Sequence, residues 1–210
     1  MTSDQDDLWL QRVRHTAADP SFWLHHATIL RQAAEDLWIA GNEHARAPGS
    51  ELGSTVLVAW RAPGFTPPET GGSTRDVCFM LFGFALENLA KGIIVCRDPK
   101  LVSSSRLKRW HGHGHDLAGL FQQAKIAVSE GERMLLDRTT RVTAWKGRYP
   151  VAMDFDEVSV HDPVAGYLAI GESWPEDDYK LLSGLYDRAK GILQQTMQEV
   201  PPLPADYDFG

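Results

Sequence analysis

Three groups of residues in this 210-residue chain have types and spacings that could do chemistry. The first is the run Arg106, Lys108, Arg109, Trp110, His111, His113, His115 and Asp116, in which glycines alternate with histidines. A histidine moves protons near neutral pH, and an arginine stabilises charge on a phosphate, so Arg109 and His115 together could cleave a phosphodiester without a metal. Trp110 could stack a base beside them. The plainer reading is a solvated basic loop. His111, His113 and His115 could also ligate zinc or nickel, but a closed site needs further ligands, and no cysteine lies nearby in sequence.

The second group is Glu87 and Lys91, four residues apart in the order that favours an ion pair on a helix. They would be either an exposed pair of little energetic weight or part of a polar strip between helices. The third is Arg148-Tyr149-Pro150, a cation followed by a turn. If the turn before residue 117 and the turn after residue 147 meet in space, His115, Asp116 and Arg148 would form a phosphate-sized anion site beside a helix N-terminus. Otherwise Arg148 pairs with Asp116 or another carboxylate and locks a turn. No P-loop, Rossmann glycine loop or nucleophile elbow is present, so no cofactor is expected.

Helices must position these residues. Asp19-Pro20 has the signature of a helix start, and Trp23, Ala27, Leu30, Ala34 and Leu37 follow at helical spacing, with Gly41 as the expected stop. Residues 41–72 hold six glycines and four prolines and read as a long irregular insertion, with Ser54–Trp60 as a possible short strand. A second helix spans about Thr74 to Arg97, halted by Asp98-Pro99. A third begins near Asp116. Ser129 and Glu132 make a capping box for a fourth, which ends at Gly147, and Ser173 with Glu176 make one for a fifth. Residues 1–18 read as a polar extension that could hold a short helix at Leu8–Val13, and residues 201–210 as a frayed tail. The expected fold is all-α, an up-and-down bundle of about five helices over residues 19–200.

The bulk composition excludes some classes. A net charge of −7 argues against a coat for duplex DNA. The longest apolar-rich stretch, Val77–Val95, carries Glu87, Asn88 and Lys91, so no membrane span is expected. Cys78 and Cys96 fall on one helix, ~27 Å apart at ~1.5 Å per residue, and cannot bridge. That suits the cytoplasm. The seven tryptophans are an unusual supply of anchors; Trp23, Trp38, Trp145 and Trp174 fall where a core or dimer face would use them.

Four pieces in sequence order carry a family resemblance: the helix Phe22–Ala40 with Ala33-Ala34-Glu35-Asp36-Leu37; Ala85-Leu86-Glu87 leading to Lys91; His115-Asp116-Leu117 with Leu120; and Arg148-Tyr149-Pro150. Together they resemble the HEPN domains, small prokaryotic helical bundles, over about residues 20–198. The resemblance implies a homodimer, association with a nucleotidyltransferase, and a place in toxin–antitoxin or defence systems. Nuclease members carry an arginine and a closely following histidine at the start of a late helix. Here Arg109 and His115 have the spacing but precede the third helix, and the next histidine after Arg148 is His161. The resemblance is therefore to the non-nuclease branch. It implies binding of a nucleotide or phosphorylated ligand by Glu87, Lys91, His115, Asp116, Arg148 and Tyr149, with RNA as the substrate of the ribonuclease alternative and a non-catalytic adaptor as the third reading.

Overall fold

The computed structural model describes residues 3–46, 56–58, 74–102, 114–146, 160–161, 168–170, 174–204 and 207. Among the described residues six α-helices make the body: α1 Ser3–Ala18, α2 Pro20–Arg46, α3 Thr74–Arg97, α4 Leu117–Gln123, α5 Glu130–Arg141 and α6 Glu176–Glu199. The protein is an all-α helical bundle. Three short strands, β1 Val56–Val58, β2 Val160–His161 and β3 Leu168–Ile170, form an antiparallel sheet in the order β1-β3-β2, with Leu57 opposite Ala169. The strand expected within Ser54–Trp60 thus exists, shortened, and it ties the insertion to a late segment of the chain.

The bundle is built round α3, which packs against α2, α4, α5 and α6. Phe79, Phe82, Leu86, Leu89 and Ile93 are fully buried. A helix apolar on all sides belongs in the middle of a fold. By length and composition Arg75–Arg97 could cross a membrane; here 72% of its most apolar window is buried inside the bundle. Gly92 lets α2 and α6 close on it together: a Cβ there would stand 2.9 Å from Trp23 Cβ and 3.1 Å from Leu193 Cδ2.

Several boundaries differ from the sequence reading. The polar lead-in is more helical than the short stretch at Leu8–Val13 suggests: Ser3–Ala18 form α1, whose last residue, Ala18, packs with Val95 and Val102 in a small second core. Asp19 then accepts a hydrogen bond from the Ser21 N–H at 2.8 Å and opens α2. Gly41 does not stop α2, which continues to Arg46; glycine in a helix interior costs only about 1 kcal/mol, and a long helix absorbs it. The expected tail is docked where it is described, with Leu203 and Tyr207 against the second core.

The capping box at Ser129 and Glu132 is present, both bonds made. For the one expected at Ser173 and Glu176, Ser173 lies outside the described residues. Pro175 is the cap residue of α6, extended and with no side-chain bond, and Glu176 sits in the first turn. The neighbouring Trp174 fixes this start: it is fully buried, its Nε1 donates to Asp76 Oδ1 at 2.8 Å, and it stacks on Phe79 at 3.9 Å. Glu176, Asp177 and Asp178 in the first turn complement the helix dipole. Arg75 lies 4.9 Å over Trp38, and Arg138 lies 4.4 Å over Trp174 while pairing with Asp178. Trp38 and Trp174 are therefore core residues, as expected; the Trp145 side chain lies outside the described residues.

Candidate functional site

The site lies where α3 meets the turn into α4. Glu87 and Lys91 share one face of α3, one helical turn apart. Lys91 Nζ donates to Glu87 Oε1 at 2.6 Å, and both residues are buried, at 9% and 7% exposure. Their pairing is thus not the exposed surface contact the spacing alone allowed. The other carboxylate oxygen, Oε2, lies 2.9 Å from His115 Nδ1. One buried carboxylate holds a lysine and a histidine, and the histidine is the most open of the three, with about a third of its side chain exposed.

Local backbone geometry puts His115 there. Gly114 is buried and has φ 78, a conformation that glycine adopts without steric cost. The chain reverses at this point, and Asp116 begins α4 as its N-cap, its Oδ1 accepting from the Gly119 N–H at 3.0 Å. His115 therefore projects from a turn fixed on both sides.

Chemically the arrangement points one ring nitrogen outward. An ionised carboxylate can only accept, so the hydrogen of the His115–Glu87 contact resides on Nδ1, leaving Nε2 for a ligand. A neutral ring offers Nε2 as an acceptor; the imidazolium offers it as a donor. Glu87 and Lys91 balance each other's charge, so the pair itself contributes little field to an anion.

One sequence expectation is corrected here. The N-terminus of α4 does not offer an open set of N–H groups to an anion. Leu117 N donates to Thr140 Oγ1 at 3.1 Å, Gly119 N to Asp116, and Leu120 N to the Asp116 carbonyl at 2.8 Å. Leu117, Gly119 and Leu120 are also buried. Asp116 is a capping residue whose acceptor is engaged within the protein.

The turn entering α4 touches the last turn of α5, since Thr140 belongs to α5; the turn after residue 147 lies outside the described residues. Beyond α5 the helix widens into a π turn over Val142–Lys146. Arg148 and Tyr149, Arg109, and the metal-ligand candidates His111 and His113 lie outside the described residues. Among the described residues no cluster of three or more His, Cys, Asp or Glu could hold a metal ion.

Sequence reasoning missed Thr140. Its hydroxyl also donates to the Leu136 carbonyl, at 2.9 Å, the ordinary satisfaction of a mid-helix threonine. The run Thr139-Thr140 with Thr143 was the available signal: β-branched hydroxyl residues gathered in a helix ask for a packing reason.

Comparison with protein-family models, with curated proteins and with solved structures gives no match to this chain.

Proposed function

We propose that this protein is a HEPN-like ligand-binding module that takes a nucleotide or other phosphorylated ligand at His115, as a homodimer working beside a nucleotidyltransferase or within a toxin–antitoxin or defence system. The observation that carries the reading is the buried Glu87 carboxylate held between Lys91 and His115. Burying two ionisable groups, Glu87 and Lys91, in a small bundle is costly unless they satisfy one another and their neighbours. Here they do, and the result is an imidazole held in one orientation at the surface. Protonated, its Nε2–H donates to a phosphate oxygen in a charge-assisted bond; Arg148, from its place in the sequence, supplies the second cation.

Thermal shift with AMP and with ribose 5-phosphate tests this. A ligand that binds only the folded protein raises Tm, by the equivalent of about 2.7 kcal/mol at one hundred times Kd. The shift should vanish in His115→Ala and in Arg148→Ala. A shift that survives both substitutions places the ligand elsewhere, and no shift with either compound removes the reading.

A second reading has one specific observation in its favour. The contact with Glu87 fixes Nδ1 as the protonated nitrogen, so a neutral His115 presents Nε2 as a proton acceptor, which a metal-independent ribonuclease with Arg109 would use. Cleavage of single-stranded RNA in the presence of EDTA, lost in His115→Ala, separates it from simple binding. Silence in both assays favours the adaptor.

A further inference from the structure

A second concave site lies on another face of α3. Asn88 follows Glu87 directly in sequence, and one residue of helix turns the side chain by about 100°. It therefore leaves the Glu87 cluster behind and forms the floor of a groove of about 480 Å³ between α1 and α2. That volume suits a small organic ligand.

The walls are aromatic. Trp9 on α1 and Phe22 on α2 line the groove while 59% and 45% exposed, and Trp23 completes it. Trp23 is fixed: its Nε1 donates to the Ala17 carbonyl at 2.8 Å, and its Cβ rests on the α3 backbone at Gly92. An exposed tryptophan beside an exposed phenylalanine is costly to leave in water, and flat rings favour flat partners.

The ionisable side chains of the described lining are basic. Arg12 and His26 face the groove, and among the described residues no carboxylate lines it, in a chain whose net charge is −7. Neither Arg12 nor His26 has an ion-pair partner among the described residues. At the floor, Asn88 Nδ2 donates to the Phe84 carbonyl at 2.7 Å. That bond settles which way the amide is turned and leaves Oδ1 as an acceptor for a ring N–H.

From these features we infer that the groove between α1 and α2 is a binding site for a small anion carrying a planar aromatic ring. The ring lies against Trp9, Phe22 and Trp23; a ring N–H donates to Asn88 Oδ1; the anionic group pairs with Arg12 beside His26. An alkyl chain would fill the apolar volume but waste the flat walls. A neutral ring would leave the guanidinium in water.

Indole-3-acetate has each element and serves as the probe, titrated into the full chain by calorimetry. Saturable one-to-one binding is expected. Indole, which lacks the charge, and octanoate, which lacks the ring, should each bind at least tenfold more weakly. Trp9 and Arg12 are exposed, so Trp9→Ala and Arg12→Gln should fold normally, with unchanged circular dichroism, and weaken binding roughly tenfold and severalfold. Asn88→Asp, which adds a carboxylate to the floor, should nearly abolish it. The inference is overturned by an absence of binding, by octanoate binding as well as indole-3-acetate, or by wild-type affinity in Trp9→Ala and Arg12→Gln.

Discussion

Glu87 and His115, 28 residues apart in sequence, meet at 2.9 Å, Oε2 to Nδ1, across the junction of α3 and α4. The contact fixes both the rotation of the imidazole and the nitrogen that carries its hydrogen. In Glu87→Gln the amide fills the same volume but can either donate or accept, so the tautomer is no longer imposed. Nitrogen-15 NMR at a pH where the ring is neutral should show His115 almost wholly protonated on Nδ1 in the native protein and mixed in the variant. A native ring protonated mainly on Nε2 would contradict the arrangement.

The same carboxylate makes Lys91 a sensitive position. Lys91→Met removes the partner at 2.6 Å and leaves Glu87 charged in a site with little water. Removing one member of a buried pair costs about 3–5 kcal/mol, whereas replacing both with apolar residues is often neutral. Urea denaturation should show Lys91→Met well below the native protein and Glu87→Leu/Lys91→Met recovering most of the loss. If the single and double variants are equally destabilised, the pair contributes no coupling.

Glycines in this bundle should separate into two kinds. A Cβ at Gly83 would collide with Thr143 Cγ2 and stand 3.0 Å from Thr139 Cγ2. Those atoms belong to α5 and the π turn beyond it, packed against α3, so Gly83→Ala should cost about 1–3 kcal/mol by overpacking. Thr143→Ala in the same chain should restore part of it. At Gly131, in the first turn of α5, nothing lies within 4 Å of the added atom. Gly131→Ala should stabilise by about 0.5–1 kcal/mol, because alanine has less backbone freedom to lose. Melting curves of the two single variants should move in opposite directions.

The sequence displayed the helices that announce themselves by periodicity and caps. Asp19-Pro20 and Ser129 through Glu132 mark real helix starts because their cue is local: a side-chain oxygen within three residues of the N–H it accepts. Ser173 through Glu176 has the same pattern, but Ser173 lies outside the described residues; what the structure adds there is Trp174, committed to the core by its contacts with Asp76 and Phe79. No local motif reports those tertiary contacts. In the candidate site, Glu87 with Lys91 was legible from spacing. The approach of His115 depends on a positive φ at Gly114 and on Thr140 reaching Leu117 N across to the next helix. The groove at Asn88 was not legible, because its walls come from three helices and only their packing brings Trp9, Trp23 and Asn88 together.

Glu132 links the start of α5 to α6 and makes that link pH-dependent. It accepts from the Ser129 N–H at 2.7 Å and from Arg188 Nη2 at 2.8 Å. Burial pushes its carboxyl up, but the hydrogen bonds from Ser129 and Arg188 outweigh it and hold the group below its ordinary value of 4.5. A carboxyl held low in the folded state adds stability above the unfolded value, and that stability is lost as pH falls through the folded value. The native protein should therefore exceed Glu132→Gln in stability at neutral pH, with the gap closing as the pH drops below about 4.5. Ser129→Ala, which removes the cap, should cost about 1 kcal/mol, measured by denaturation at pH 7. A gap between native and Glu132→Gln that widens in acid would reverse the sign argued here.

Cys78 provides a probe of how tightly the bundle is closed. It is fully buried on α3. That burial pushes its thiol up to about 12, against a smaller downward pull from Arg31 and Arg75. The thiolate is the reactive form, so at pH 8 both its population and its access are suppressed. Cys96, also buried, is shifted upward chiefly by burial, with Arg97 pulling the other way. In the native protein neither thiol should react with a disulfide reagent on the minute timescale, and both should react at once in denaturant. The slow native reaction of Cys78 should then report opening of the bundle and should accelerate in Lys91→Met, which weakens the same helix. If Cys78 reacts rapidly in the native protein and at the same rate in that variant, α3 is not the closed centre that its packing describes.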